Sequence, residues 1–499
     1  MAVFSRQFSS TRTVVVSFTH KLLGGIGLSA VNISIVGAGS AVFSLRLVSD
    51  LCKTIGLHGS TITLMDIDER RLDAVQVLAS KFAEEMGTSL EFTKTVELEE
   101  AIEGSDFVIN SALVGGHAFL ERVRAIGEKH GYSRGIDTQE FNMVSDYYTL
   151  TNWNQLSHFL GIAEIMEKRA PNAWLLQAAN PVFEGTTLIR RRSKINMVGF
   201  CHGHYDVLEV AATLGVNTSE LDWQVAGVNH GIWLNRFRRN GEDLYPLFED
   251  YVSKYECNEF KPSNPFNVQM SPAALDMYSF YGLVPIGDTV RNSGWKYHYD
   301  QQTMEKWYGS PWGSPDSVPG WRWYREQLGE VTDATLALAK AIEQFPDASL
   351  DKLIIEGTKG LSSDFTREAN QLYDKDSMSG EQHIPFIDAI VNGNSARLVV
   401  NTLNEGVIAD IDDDVAIEVP AIVDKDGIHV EAIDPALPER VIQWYLKPRI
   451  LRMEWALEAF EEKNPDLIVE ILLKDPRTKS YEQAKAVVQE IFDSEGWDK

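Results

Sequence analysis

The chain has little of what several function classes require. Cysteine occurs three times in 499 residues, at Cys52, Cys201 and Cys257. An odd, sparse set argues against a disulfide framework and for a reducing compartment, the cytoplasm, where thiols stay free. Positive charge is scarce, with 46 Lys and Arg against 72 Asp and Glu and a net charge of −26. Nucleic acid is held by Lys and Arg on its phosphates, so this balance argues against it as a partner. No run of about 18 apolar residues is present, so no segment reads as a membrane span. P-loop, His-Glu-x-x-His and Gly-x-Ser-x-Gly patterns are missing, which lowers the case for an NTPase, a zinc peptidase or a serine hydrolase. Internal repeats and low-complexity segments are missing too. Acidic residues are missing from the start of the chain, where the first carboxylate is Asp50. Residues 1–30 carry Arg6, Arg12, His20 and Lys21 among many Ser and Thr. They read as an N-terminal extension without structure, a transit-peptide-like composition being the alternative.

What remains is the composition of a globular enzyme, 44% hydrophobic and 24% charged. The length exceeds one ordinary core and predicts two domains, over 31–205 and 206–499. Strand-like runs recur at Ile33–Val36, Thr61–Asp66, Asp106–Ala112, Ala173–Ala178 and Asn196–Cys201. Helical patterns lie between them, as over Asp68–Glu85, where Leu72, Val75, Leu78 and Phe82 fall at helical spacing. Strand, helix and strand repeated this way predict an α/β fold with a Rossmann-type parallel sheet. Further strands near Trp223–Val228 and Val415–Val419 predict a mixed α/β region, and Arg449–Phe460 predicts a helix.

The chemistry-bearing motifs follow the strand ends. Gly37-x-Gly39 lies between an apolar strand and a helix. Gly37 permits the bend, Gly39 lets the backbone approach a pyrophosphate, and Ser40, Ala41 and Val42 open the helix onto it. Val42 replaces the third glycine of the fingerprint. Asp66 ends the next strand, where a carboxylate takes the ribose hydroxyls of NAD. The alternative is a tight turn without ligand, with Asp66 capping a helix. Cys201 and His230 each follow a strand, as a thiolate and an imidazole suited to an open divalent ion. Alone, Cys201 reads equally as a small buried residue and His230 as a satisfied core histidine. Asn180-Pro181 offers an amide for a sugar hydroxyl or simply a turn. Asp146 and Asp288 are carboxylates that divide acid and base work only if they meet. Arg190, Arg191 and Arg192 read as a helix end, and Asp410–Asp414 as a surface turn. Five Trp between Trp295 and Trp323 read as sugar-stacking faces or as core.

Gly-Ala-Gly-Ser at 37–40, Ala-Asn-Pro at 179–181, Cys-His at 201–202, Val-Asn-His at 228–230 and Val-Ala-Ile-Glu-Val-Pro-Ala at 415–421 together resemble glycoside hydrolase family 4, from about residue 31 to near the C-terminus. Cys-His-Gly-His at 201–204 and Pro-Ile-Gly-Asp-Thr-Val-Arg at 285–291 place the resemblance nearest the family's α-glucosidase branch. The resemblance implies a lactate-dehydrogenase-like fold, bound NAD, a divalent ion such as Mn2+ and a homodimer or homotetramer. It implies Cys201 and His230 as metal ligands, Asn180, His202 and Arg291 as substrate contacts, and Asp146 and Asp288 as the acid–base pair. Members acting on 6-phosphosugars use Tyr in the region of Asp288, so a phosphorylated substrate is disfavoured. The implied chemistry is redox elimination, an exception to the two-carboxylate glycosidase route. Hydride leaves C3, a proton leaves C2, the glycosidic oxygen departs, water adds and the hydride returns. The alternatives are an α-glucuronidase or α-galacturonidase of the same family and an NAD-dependent hydroxy-acid dehydrogenase. A nucleotide-sensing module fits less well, since it needs no metal-binding pair.

Overall fold

A computed structural model of the chain describes residues 29–134, 150–255, 260–357, 374 and 376–494. The N-terminal extension expected over 1–30 lies outside the described residues up to residue 28, as does Cys257.

Six short strands build a parallel sheet: β1 Asn32–Val36, β2 Thr61–Met65, β3 Glu91–Thr95, β4 Phe107–Asn110, β5 Trp174–Gln177 and β6 Asn196–Gly199. Their spatial order is 6-5-4-1-2-3, with the first crossovers made by helices Ala41–Lys53 and Glu69–Met86. Ile33, Ile35 and Val36 are buried, as are Val108 and Ile109. Strands covered by helices on both faces read as continuous apolar runs, which is why the sequence shows them. Helix Glu69–Met86 buries Leu72, Val75, Leu78 and Phe82. Asp68 caps it by accepting from the Arg71 amide, and left-handed Gly87 ends it. Strand β3 has no apolar pattern because it forms the sheet edge, where charged residues such as Glu91 and Lys94 discourage further pairing.

The sheet continues beyond β6. Strands β7 Leu221–Val228, β8 Gly231–Arg239, β9 Glu242–Asp243, β10 Val284–Ile286, β11 Ala396–Leu403, β12 Ala416–Asp424 and β13 Gly427–Val430 are antiparallel. They extend the order as β10-β8-β7-β12-β11-β6, so parallel and antiparallel strands form one thirteen-stranded sheet. At the seam one ladder row runs Gly199, Asn401, Glu418, Gly227 across four strands. A side chain at Gly199 would meet Val182, Thr186 and Asn401 within 2.9 Å, so only glycine permits this joint. Cys201 lies two residues beyond the row on one side and His230 three residues beyond it on the other. No helix among the described residues is long and apolar enough to cross a membrane.

Candidate active site

The candidate nucleotide end is built on the turn after β1. Gly37 adopts φ +87, and a Cβ there would lie 2.6 Å from the Ala112 amide nitrogen. Glycine is thus required both by conformation and by the approach to β4. A Cβ on Gly39 would lie 2.7 Å from the Asp66 carboxylate, whose Oδ2 accepts from the Gly39 amide at 2.8 Å. Asp66 Oδ1 accepts from the Asp68 amide at 2.9 Å. The helix that follows starts at Ala41 with Ser40 at its N-cap. No side chain caps it and no acidic residue occupies its first turn. An uncapped helix N-terminus beyond a glycine turn suits a pyrophosphate. Val42 is buried inside this helix.

The second end is a cleft of about 470 Å³ lined by Phe43, Ala178, Asn180, Phe200, Cys201, His202, His230, Asp288, Glu381, Gln382 and His383. The fold brings these together by two devices. Asn229 and His230 form a two-residue turn between β7 and β8, with His230 in the left-handed region at φ +56. Such a conformation costs a non-glycine residue of order 1 kcal/mol and persists only where the surroundings impose it. Here Asn292 Nδ2 and Tyr445 Oη donate to the His230 carbonyl at 3.3 and 3.4 Å. Arg449 Nη2 donates to that of Asn229 at 2.6 Å. The second device is a glycine-on-glycine contact: a Cβ on Gly287, at φ +65, would lie 2.8 Å from Gly203 Cα. This closes the loop after Cys201 onto the loop carrying Asp288. Thr289 locks the latter to β8 by exchanging hydrogen bonds with the Ile232 amide and carbonyl at 2.8 and 3.0 Å.

His230 Nε2 stands 3.5 Å from Asp288 Oδ2, and Arg291 Nη2 stands 2.9 Å from Asp288 Oδ1. Arg291 itself is fully buried, with Asp316 Oδ2 at 3.5 Å from its Nε and the Phe266 ring 5.4 Å away. It lies behind Asp288 rather than among the cleft-lining residues. Asn180 is buried, and its Oδ1 has no hydrogen-bond partner. Cys201 is a free, partly exposed thiol. Among the described residues no group of three or more His, Cys, Asp or Glu forms a ready-made metal cage. A thiol, an imidazole, a carboxylate and an unpartnered amide oxygen on one cleft wall still fit an open divalent ion completed by ligand oxygens. Asp146 lies outside the described residues.

Several lining residues carry no sequence motif. Glu381 is buried beside His202 Nδ1 at 3.7 Å, Arg46 Nη1 at 3.5 Å and His383 Nδ1 at 4.0 Å. Burial alone would raise its pKa. Contact with His202 and the charges around it outweigh that and hold it down at about 2. Burial lowers His383 to about 4, so this ring is neutral at pH 7. Behind His230, Glu418 accepts from Asn229 Nδ2 at 2.7 Å and from Asn401 Nδ2 at 3.3 Å, and complete burial raises its pKa. A carboxylate inside an apolar strand was the one signal that could have marked it. The aromatic residues of 295–324 do not line the cleft; Tyr297, Tyr308, Trp321 and Tyr324 are core. Arg191 and Arg192 end helix Val182–Arg192 and pair with Glu454 and Glu461.

A family model described as family 4 glycosyl hydrolase matches residues 32–216, and the model of that family's C-terminal domain matches 225–478. The chain is similar to an α-galactosidase of Bacillus subtilis (strain 168), at 21% identity over 459 residues, covering 91% of this chain and 95% of the relative. It is similar to an α-galacturonidase of Thermoanaerobacter italicus, at 24% identity over 505 residues, covering 95% and 99%. A solved 6-phospho-α-glucosidase from gut microorganisms, in complex with NAD and Mn2+, matches with a TM-score of 0.70 at 17% identity, over 93% of this chain and 98% of that one. The last likeness is one of fold.

Proposed function

The chain belongs to glycosyl hydrolase family 4, and on that premise we propose that it cleaves uncharged α-glycosides, α-glucosides foremost, with NAD and a divalent ion such as Mn2+. One observation carries the substrate reading: among the described residues no Lys or Arg lines the cleft, whereas Asp288 and Glu381 do. The nearby guanidinium groups of Arg46 and Arg291 face Glu381, Asp288 and Asp316. A uronate or phosphate is held by cations, Arg above all. The similarity to an α-galacturonidase favours a uronide as the second reading.

The residues take the following roles. The turn Gly37–Val42 and Asp66 receive the dinucleotide. Cys201 and His230 hold the ion, with Asn180 and His202 on the sugar beside it. When bound, NAD supplies a reversible hydride acceptor for sugar C3 and the ion a Lewis acid for the C2 and C3 oxygens. Asp288, which lines the same cleft beside His230, removes the C2 proton. Arg291 holds its carboxylate from behind, with Nη2 2.9 Å from Oδ1. Asp146 gives a proton to the departing glycosidic oxygen.

The test is turnover of 4-nitrophenyl α-glucoside and α-glucuronide by the purified chain with NAD, Mn2+ and a reductant. The glucoside is expected to be the faster substrate, deuterium at C2 or C3 is expected to slow it, and a chelator is expected to abolish turnover. A faster glucuronide overturns the substrate reading. Rates indifferent to both deuterium labels overturn the chemistry, since neither C–H bond breaks in ordinary glycoside hydrolysis.

A further inference from the structure

Glu381 is held in the cleft wall with unusual care. Its neighbour Gln382 is fixed like a strand residue: its side chain donates to the Val399 carbonyl at 2.9 Å and accepts from the Val399 amide at 2.7 Å. The same amide group reaches the Cys201 carbonyl at 3.3 Å. Two residues earlier, the Ser379 amide and hydroxyl both donate to Asp50, at 2.7 and 2.5 Å. On the far side, His383 is clamped edge-on by Phe43 and Phe200, with ring centroids 5.3 and 5.0 Å away. The backbone of Glu381 is therefore anchored on both sides, and its carboxylate has one place to go.

The carboxylate is surrounded by positive or neutral nitrogen at 3.5–4.0 Å from Arg46, His202 and His383. These distances compensate charge, but they are longer than the usual span of about 2.7–3.2 Å for a hydrogen bond from nitrogen to oxygen. An ionised carboxylate accepts up to about four hydrogen bonds. His202 contacts the carboxylate closely enough to lower its pKa, and Glu381 lines the cleft together with Asn180, Cys201, His230 and Asp288, so its remaining acceptor capacity is open to a ligand there.

We propose that Glu381 is a specificity-determining residue, which accepts hydrogen bonds from hydroxyls of an uncharged sugar and repels substrates carrying a uronate or phosphate. The inference rests on the functional reading above and names the group that enforces it. Like charges in a confined, partly dehydrated cleft repel far more strongly than in open water. A hydroxyl-bearing sugar meets an acceptor at the point where an anionic sugar meets a fixed negative charge. Site-built acceptors of this kind discriminate strongly, because a wrong partner leaves them unpaired.

The experiment compares kcat/KM for 4-nitrophenyl α-glucoside and α-glucuronide in the wild type, Glu381→Gln and Glu381→Asp. Melting temperature and NAD binding by cofactor fluorescence serve as controls of folding. Glu381→Gln is expected to narrow the glucoside-to-glucuronide ratio by at least about tenfold, with the loss on glucoside falling mainly on KM. Glu381→Asp, which keeps the charge but withdraws it, is expected to hold the ratio near wild type and raise the KM for glucoside. A role confined to structure would depress both substrates alike in Glu381→Gln as well, leaving its ratio unchanged. An unchanged ratio in Glu381→Gln overturns the proposal. If that variant does not fold, a wild-type glucoside KM in Glu381→Asp overturns it instead. A wild type that prefers the glucuronide overturns the functional reading and this inference together. Preference for glucoside with an insensitive ratio overturns the inference alone.

Discussion

Asp288 is the residue on which most of the site's geometry turns. One carboxylate oxygen faces the His230 imidazole and the other the buried Arg291. Asp288→Asn keeps the shape and removes the charge, so the fold is expected to survive, with Asp316 still beside Arg291. General-base catalysis contributes about 10²–10⁴-fold, and kcat is expected to fall by about that factor with KM little changed. Steady-state kinetics beside a thermal melt check this; a loss below about tenfold would remove Asp288 from the base role. At this scale the sequence was legible where residues sit in recurrent segments after strands. Gly37, Gly39, Cys201, His230 and Asp288 all have such settings. Glu381 does not: Ser-Gly-Glu-Gln-His has no periodicity or motif, and its place in the cleft comes from contacts with Asp50, Val399 and Cys201 far away in the chain. Arg291 shows the converse. A cation beside a candidate base reads as a ligand contact, and only the packing of Phe266 and Asp316 around it reveals a buried support.

The hairpin β7–β8 presents His230, and the row Gly199, Asn401, Glu418, Gly227 holds that hairpin to the parallel strands. Glu418 is the polar centre of this joint, taking amide protons from Asn229 and Asn401. Glu418→Leu would take this acceptor from both buried amides, leaving Asn401 with only the longer bond to the Gly199 carbonyl at 3.5 Å. Each such loss costs about 1–3 kcal/mol. The expected result is a destabilisation of roughly 3 kcal/mol in urea unfolding, with weakened metal binding because the turn carrying His230 loosens. Glu418→Gln retains a carbonyl acceptor and is expected to lose clearly less of both. Equal stability of the leucine variant and the wild type would show that the joint does not depend on this carboxylate. Elements were legible to the extent that burial was symmetrical. The parallel strands and the apolar face of Glu69–Met86 announce themselves. The polar edge strand Glu91–Thr95 does not, since its exposed face carries no apolar alternation. Nor does a sequence pattern reveal that β6 and β11 join, because a single pair, Gly199 with Asn401, makes the connection.

At the scale of the whole molecule, helix Ala41–Lys53, which follows the glycine turn, is tied to the segment that carries Glu381. Asp50 accepts from Ser379, and Lys53 donates to the Ser377 carbonyl at 2.5 Å. The two carboxylates linked in this way have opposite pKa shifts. Burial raises Asp50 from 3.8 to about 6, against the hydrogen bonds of Ser379 and the charge of Lys53. Glu381 is lowered to about 2. The signs set opposite pH dependences. A carboxyl with a raised folded-state pKa prefers its proton in the folded chain, so its contribution is complete below the unfolded value and is lost as pH rises through 6. Glu381 gives stability that is complete above its ordinary value and is lost only as pH falls toward 2. Near neutral pH the molecule therefore carries the cost of ionising Asp50 while keeping the benefit of Glu381. A rise of this size corresponds to about 3 kcal/mol. Asp50→Asn cannot ionise, so its stability relative to wild type is expected to improve by most of that amount, about 2.4 kcal/mol, between about pH 4 and about pH 7.5. Urea unfolding of both proteins at the two pH values isolates the group, since every other carboxylate is common to the pair. A difference that stays constant between them would mean that Asp50 titrates as in the unfolded chain and that the tie to Ser379 does not depend on its protonation.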